Sequence, residues 1–337
     1  MMLGDLSGFL PRYGIDAATA VVAPLTRGEK NATWSVTLPT GRRLVVRQYA
    51  ASDADEVEYE LAASEFLARQ GFPTPAPVRT SAGELWIRLA GHPAAVFTFA
   101  DGVHPPERDG GYGSFDLDLG RQAAALAAHL HVVSGGRSFP GRRSAHRDPL
   151  HQVGAFLSGP YVRLPVMQEV VDQLAPLHAR IARVYDRPDG LRKGLVHLDI
   201  TAANLLVDKE SGAITTLLDF DDCAESFQLY DLGSIVDTWG RDAHRHADLE
   251  RIGRLIEAYD EIGALSKREI DLTADFLALC AAATGVGVLS RALRAGGTVR
   301  DARESYSMLL FLDLRVAARD GWRFTPRRRS VPRPTGG

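Results

Sequence analysis

The segments VHLDITAANLLV (196–207) and LLDFDD (217–222) constrain this chain more than any other part of it. The runs Asn204–Val207 and Ala213–Phe220 read as apolar strands, and the turn-prone stretch Asp208–Gly212 joins them into a hairpin. His197 and Asp199 precede the hairpin, Asn204 opens it, and Asp219 closes it. Turn and cap roles alone would account for a lone Asp and Asn at a strand end. An apolar strand that ends in a second acid across the hairpin points instead to two carboxylates and an amide gathered at one place.

That donor set suits one chemistry above others. Asn and Asp oxygens are hard ligands of the kind a small divalent cation such as Mg²⁺ prefers. A further carboxylate can accept a hydrogen bond from a hydroxyl and align it for attack. Protein kinases place an aspartate base and a metal-binding asparagine at this spacing, with a metal-binding aspartate beyond a hairpin. Asp199 is therefore the candidate catalytic base, and Asn204 and Asp219 are the candidate metal ligands.

The first hundred residues carry complementary parts. Strands are expected at Ala20–Pro24, Thr33–Leu38, Arg43–Tyr49, Pro77–Arg79 and Glu84–Arg88, with an apolar run at Pro93–Ala100 and a helix over Asp53–Gln70. Val57, Leu61, Ser64 and Leu67 form the apolar stripe of that helix, Gly71 its C-terminal cap, and Pro73 its stop. This makes a β-rich lobe of about five strands and one helix. Arg47 on the third strand is placed to hold nucleotide phosphates, since a guanidinium offers a planar fork to such anions. Glu60 is its chosen partner, with Glu56 and Glu58 as alternatives. The turn around Gly28 and Asn31 is the candidate phosphate cover, because glycine permits close backbone approach. It matches neither Gly-x-x-x-x-Gly-Lys-Ser/Thr nor Gly-x-Gly-x-x-Gly.

Beyond a crossing at Gly102–Arg108 the pattern turns helical, over Asp116–His131, Leu150–Leu157, Pro165–Asp186, Ala247–Ile262, Lys267–Leu289 and Val299–Arg319. A loop rich in Gly, Arg and Ser runs from Ser134 to Arg147, and residues 326–337 read as a basic, disordered tail. The expected division is therefore 1–100, 101–325 and that tail. A net charge of −3 gives no global reason for nucleic-acid or membrane binding. The two cysteines, Cys223 and Cys280, are too few for a disulfide scaffold, which fits a reducing, cytoplasmic setting. Met1–Tyr13 carries no signal-peptide pattern. No run of eighteen uncharged apolar residues suggests a membrane span. His244 and His246 read as an exposed helix start, His131 as a structural hydrogen-bonder, Tyr230-Asp231 as a brace, and Cys223 as inert.

With these parts in order, the chain resembles the aminoglycoside phosphotransferase/choline kinase superfamily over roughly residues 20–320. The strongest carriers are VHLDITAANLLV, LLDFDD and LYDLG (229–233). VVRQY (45–49), ELAASEFLARQGFPTPAP (60–77) and LGRQAAALAAHLH (119–131) support them. The resemblance implies an α+β, bilobal protein-kinase-like fold with a small β-rich N-lobe and a larger, mainly helical C-lobe. It implies ATP and Mg²⁺ as cofactors, a small-molecule hydroxyl as acceptor, and adenine held against the hinge at Phe97, Thr98 and Phe99. The look is nearest to bacterial homoserine kinases of that fold, through GHPAAVFTFADG (91–102) and LYDLGSIVDTW (229–239). An antibiotic phosphotransferase and a nucleotide-binding pseudokinase are the alternative readings. The family usually has His-Gly-Asp where Leu198 stands here, and Asp221-Asp222-Cys223 departs from the homoserine-kinase form. Asp221 and Asp222 could face a substrate amine, Asp221 could assist the metal, or both could be ordinary solvated acids. The sequence leaves oligomeric state open.

Overall fold

A computed structural model describes residues 6–25, 31–50, 53–106, 116–143, 148–164, 167–296, 298 and 306–325. The chain gathers into two compact units. The first comprises Met1–Gly113, Leu130–Asp148 and Lys193–Gln228; the second comprises Ser114–His129, Pro149–Arg192 and Leu229–Gly337.

The first unit is built on a six-stranded antiparallel sheet. Its strands are β1 (Val21–Leu25), β2 (Ala32–Thr37), β3 (Arg43–Gln48), β4 (Pro77–Val78), β5 (Ile87–Leu89) and β6 (His92–Thr98). β3 lies centrally, pairing Arg47 with Thr33 on β2 and with Ala95 on β6. Strand alternation sorts its residues onto two faces. Leu44 and Val46 join Val36, Ala94 and Val96 in one apolar layer. Tyr49 packs with Val57 and Leu61 of α1 (Ala54–Arg69), Val45 packs beside them, and the same period puts Arg47 on that face.

The fold departs from expectation at both ends of this sheet. The strand expected at Glu84–Arg88 is shifted to β5 at Ile87–Leu89, so Glu84–Trp86 lies outside the sheet. The N-terminal segment also folds: Leu6, Phe9, Leu10, Tyr13 and Ile15 are buried against the Val36 layer. A single turn of 3₁₀ helix at Leu10–Tyr13 ends at Gly14, whose φ of 70° places it in the left-handed region. This segment is too short to show helical or strand periodicity, so nothing local announces its burial.

The same unit holds two further ladders. β7 (Lys193–Val196) pairs with β10 (Ala224–Phe227), and β8 (Leu205–Val207) pairs with β9 (Ile214–Leu217). The second is the expected hairpin; the first encloses it. Two contacts tie the hairpin to chain that follows the sheet elements. Leu217 N donates to the Pro73 carbonyl (2.8 Å), just past α1. Val103 bridges Val207 after β6, and a Cβ at Gly102 (φ 143°) would lie 2.9 Å from Leu206 Cβ. Glycine at 102 is thus required by both its backbone angle and the close approach.

The second unit is helical: α2 (Leu117–Ser134, most of it), α3 (Pro149–Leu157), α4 (Gln168–Asp186), α5 (Leu229–Trp239), α6 (Leu249–Gly263), α7 (Lys267–Arg294) and α8 (Tyr306–Arg319). α7 opens with a capping box, Ser266 and Glu269 each bonding the other's main chain. It is long and apolar enough to cross a membrane, yet 78% of its apolar window is buried inside the structure, as for a core helix. α5 meets it closely, since a Cβ at Gly233 would sit 2.3 Å from Cys280 Sγ. Tyr230 OH hydrogen-bonds Tyr185 OH (2.9 Å), and Asp231 is fully buried. His246 meets Asp313 (3.0 Å) in the exposed stretch before α6.

Candidate active site

Three short elements of the first unit carry the two predicted acids and the amide between them. Asp199 follows β7, Asn204 ends a 3₁₀ turn before β8, and Asp219 follows β9. Asn204 Nδ2 donates to Asp199 Oδ2 (2.7 Å) and to the Asp199 carbonyl (2.9 Å). The Asn204 carbonyl accepts from Leu218 N (2.8 Å), next to Asp219. Both of these bonds use Nδ2, so Oδ1 is the acceptor atom of the Asn204 side chain and takes part in neither.

His197 fixes the loop. It is fully buried, its Nε2 lies 2.9 Å from the Leu218 carbonyl, and its Nδ1 accepts from Asp199 N (3.3 Å). Those two contacts assign the ring proton to Nε2. Its ring also meets Phe220 edge-on at 4.6 Å. One imidazole thus ties the main chain before Asp219 to the main chain at Asp199. Burial pushes the Asp199 carboxyl above the usual carboxylate range; His197 opposes that shift and Asp222 adds to it.

Two residues here hold left-handed backbone without being glycine: Leu198 (φ 66°) and Asp219 (φ 62°). At Leu198 this explains why glycine is usual in the resembling family, since a Cβ there costs about 1–2 kcal/mol. Glycine at 198 should accordingly give a more stable protein than alanine at 198, by about 1 kcal/mol or somewhat less, the reverse of the order in a helix. Thermal or urea melts of Leu198→Gly and Leu198→Ala check this, and an alanine variant as stable as the glycine variant would contradict it. The pair is compared because both lose the same leucine packing.

Arg47 connects the sheet to the acids. Its Nη1 bonds Glu60 Oε1 (3.2 Å) and its Nη2 lies 2.9 Å from Asp219 Oδ1. Burial works against the guanidinium charge, and Asp219 and Glu60 outweigh it, so Arg47 holds its proton more tightly than usual. Glu60 is buried among Arg47, Tyr49 OH (2.9 Å) and Arg143. Burial raises its carboxyl above the usual range, against the pull of Arg47 and Arg143. Of the three candidate glutamates, Glu60 meets Arg47 (3.2 Å), whereas Glu58 accepts from Trp86 Nε1 (2.9 Å).

The other predicted positions divide. Gly28 lies outside the described residues. Asn31 Oδ1 accepts from Ala50 N (3.3 Å), tying the turn's end to the exit of β3. Phe97 is buried; Thr98 Oγ1 accepts from Ala76 N (2.9 Å), and Thr98 N donates to the Ala76 carbonyl. Phe99 N reaches the Arg43 carbonyl (3.4 Å), and the Arg43 guanidinium covers its ring at 3.9 Å. Asp221 and Asp222 are half-buried in the 3₁₀ turn after Asp219, and Cys223 is fully buried. Sequence reasoning missed Arg143. Its only signal was an arginine in a Gly/Arg/Ser-rich loop, which ordinarily marks a solvated surface.

The donor chemistry of the site fits a hard divalent cation. Among the described residues, Asp219 Oδ1 is buried without a hydrogen-bond partner, and the Arg47 charge lies 2.9 Å from it. Together with Asn204 Oδ1 it supplies oxygens of the type Mg²⁺ takes.

The profile of the phosphotransferase enzyme family matches residues 21–265. The homoserine kinase of Methylorubrum populi is 29% identical over 276 residues, 79% of this chain and 78% of that protein. Among solved structures, a microcompartment-associated aminopropanol kinase superposes with a TM-score of 0.66 at 22% identity, covering 96% of this chain and 99% of its own. The amicoumacin kinase hAmiN, in complex with AMP-PNP, Ca²⁺ and Ami, gives 0.62 at 16% identity, covering 93% and 91%. These likenesses carry the bilobal, protein-kinase-like fold.

Proposed function

The chain belongs to the phosphotransferase enzyme family, and on that premise we propose that it transfers the terminal phosphoryl group of ATP to the hydroxyl of a small amino alcohol, with homoserine as the leading acceptor. That it is a small-molecule kinase follows from the family. The observation that most supports the residue roles is a continuous set of contacts inside one compact unit: Asp199 to Asn204, Asn204 to Leu218 beside Asp219, Asp219 to Arg47, and Arg47 to Glu60.

In this reading Asp199 accepts the hydrogen bond of the acceptor hydroxyl and aims its oxygen at the phosphorus. Asn204 and Asp219 are the residues that would hold a divalent ion through their side-chain oxygens, and such an ion would supply charge neutralisation at the phosphates. Arg47, braced by Glu60, grips the α- and β-phosphates. His197 holds the two halves of the site in register. Adenine lies against the main chain near Phe97, Thr98 and Phe99, and Asp221 or Asp222 faces the acceptor's amine. Support for an amino-alcohol acceptor comes from relatives: the Methylorubrum populi protein is a homoserine kinase, and the neighbouring structure is an aminopropanol kinase.

The test is a screen of ADP release in magnesium buffer across homoserine, short amino alcohols, choline and aminoglycosides. Release should be greatest with homoserine or another short amino alcohol. Greater release with choline or an aminoglycoside would overturn the acceptor assignment.

A further inference from the structure

Glu60 is a buried carboxylate with two guanidinium neighbours, and the reading above uses one of them. The other, Arg143, comes from the loop between α2 and α3, and its side chain is only 6% exposed. Its Nη1 donates to the Asp221 carbonyl (3.0 Å) and its Nη2 to the Phe220 carbonyl (3.1 Å). The same Nη2 lies 3.5 Å from Cys223 Sγ and 3.9 Å from Glu60 Oε2. The Tyr59 ring closes one side at 5.5 Å. Arg143 therefore joins the helix that bears Glu60 to the main chain immediately after Asp219, completing a ring of contacts: Arg143, Glu60, Arg47, Asp219, Phe220.

The loop is built to deliver this side chain. Gly141 has φ 87°, and a Cβ there would fall 2.3 Å from the Asp55 carbonyl and 2.7 Å from Tyr59 N, so only glycine lets the loop lie on α1. Arg142 N donates to that Asp55 carbonyl (3.2 Å). Phe139 meets Tyr59 edge-on at 5.9 Å and Phe66 at 5.7 Å. One hydrogen bond and two ring contacts, spread along α1 from Asp55 to Phe66, thus strap the loop down and fix the root of Arg143.

We propose that Arg143 is a positioning residue for the nucleotide's phosphate anchor: it clamps the turn after Asp219 and keeps Glu60 neutralised, so that Arg47 is presented to phosphate instead of being held by an uncompensated carboxylate. The proposal rests on the phosphate-anchoring role given to Arg47 above and adds a second cation to that anchor. The physical case is charge balance. Arg47 and Arg143 offset Glu60 and Asp219; once Arg47 and Asp219 turn to phosphate and cation, Arg143 is the charge left to satisfy the buried Glu60. Arginine suits the task because its planar fork donates from two nitrogens to two successive carbonyls while its charge stays beside the carboxylate, a geometry a single ammonium nitrogen does not preset.

The experiment is a titration of the full-length protein with the fluorescent nucleotide mant-ATP in magnesium buffer, so that no acceptor is needed, paired with thermal melts. Arg143→Met should weaken binding by about tenfold or more, and Arg143→Lys should recover part of that loss. In a Glu60→Gln background, where no charge remains to be neutralised, the same Arg143→Met change should alter affinity by less than about twofold. Wild-type affinity in Arg143→Met with a lowered melting temperature would reduce the residue to a scaffold role and overturn the proposal; so would additive losses in the double variant. Should Arg143→Met fail to fold, the comparison made with Arg143→Lys in both backgrounds decides. Arg47→Met separates the two levels: unweakened binding there overturns the anchor reading itself, whereas weakened binding beside an unaffected Arg143→Met overturns only the role of Arg143.

Discussion

Replacing Asp199 with asparagine should lower turnover by roughly 10²–10⁴-fold while leaving nucleotide affinity within about twofold of wild type. The expected split follows from what the carboxylate touches. Its Oδ2 is held by Asn204 Nδ2 at 2.7 Å, and that amide also holds the Asp199 main-chain carbonyl. Asparagine keeps the shape and can keep its oxygen toward Asn204, so the loop stays in place. What it loses is a negative oxygen able to accept a proton from the attacking hydroxyl. No arginine of the anchor bonds Asp199 among the described contacts, so phosphate binding should survive. Steady-state ADP release with the acceptor found in the screen, set beside mant-ATP titration, reads the two effects separately. Turnover equal to wild type would remove Asp199 from the role of base.

The second large effect is expected at Asp219. Asp219→Ala should abolish the part of nucleotide binding that depends on magnesium, a loss on the order of a hundredfold or more, because a cation–carboxylate contact in a partly buried site contributes several kcal/mol. One complication has a structural cause. Asp219 sits at φ 62°, which Asp and Asn tolerate better than alanine does. Asp219→Ala should therefore also lose stability, by roughly 1 kcal/mol. Asp219→Asn supplies the control: it keeps the tolerance for left-handed backbone and removes the charge. Both variants should bind mant-ATP equally well with magnesium and with chelator, while only the alanine variant melts early. A magnesium-dependent gain in affinity that persists undiminished in both would exclude Asp219 as a cation ligand.

These residues could be found in the sequence because their spacing is local. Asn204 stands five positions after Asp199, and one hairpin separates Asn204 from Asp219, so the apolar runs that define β8 and β9 also fix where the three side chains begin. Arg47 was legible for a related reason. The two-residue period of β3 fixes which face it shares with Val45 and Tyr49 whatever surrounds it. Glu60 was legible as one of three, since helical spacing groups it with Val57 and Ser64 but says nothing about which acid a cation will meet.

Other features had no local signal. Leu198 reads as an ordinary apolar residue; its left-handed backbone follows from His197, which bonds to both the Leu218 carbonyl and Asp199 N and so bends the chain between them. The N-terminal segment and β5 depend on where the sheet has uncovered apolar surface, not on their own pattern. Arg143 lies 77 residues from the Phe220 carbonyl it holds.

The sequence by itself determined which side chains stand as candidates for the chemistry, because that information is written in short spacings and in the two- and 3.6-residue periods of strand and helix. Only the tertiary structure decided which acid meets Arg47, that a second arginine shares it, and that two non-glycine residues turn left-handed at the site. Partner choice among charges, and strain held against a local preference, are set by contacts between distant segments, whose energies no short window of residues contains.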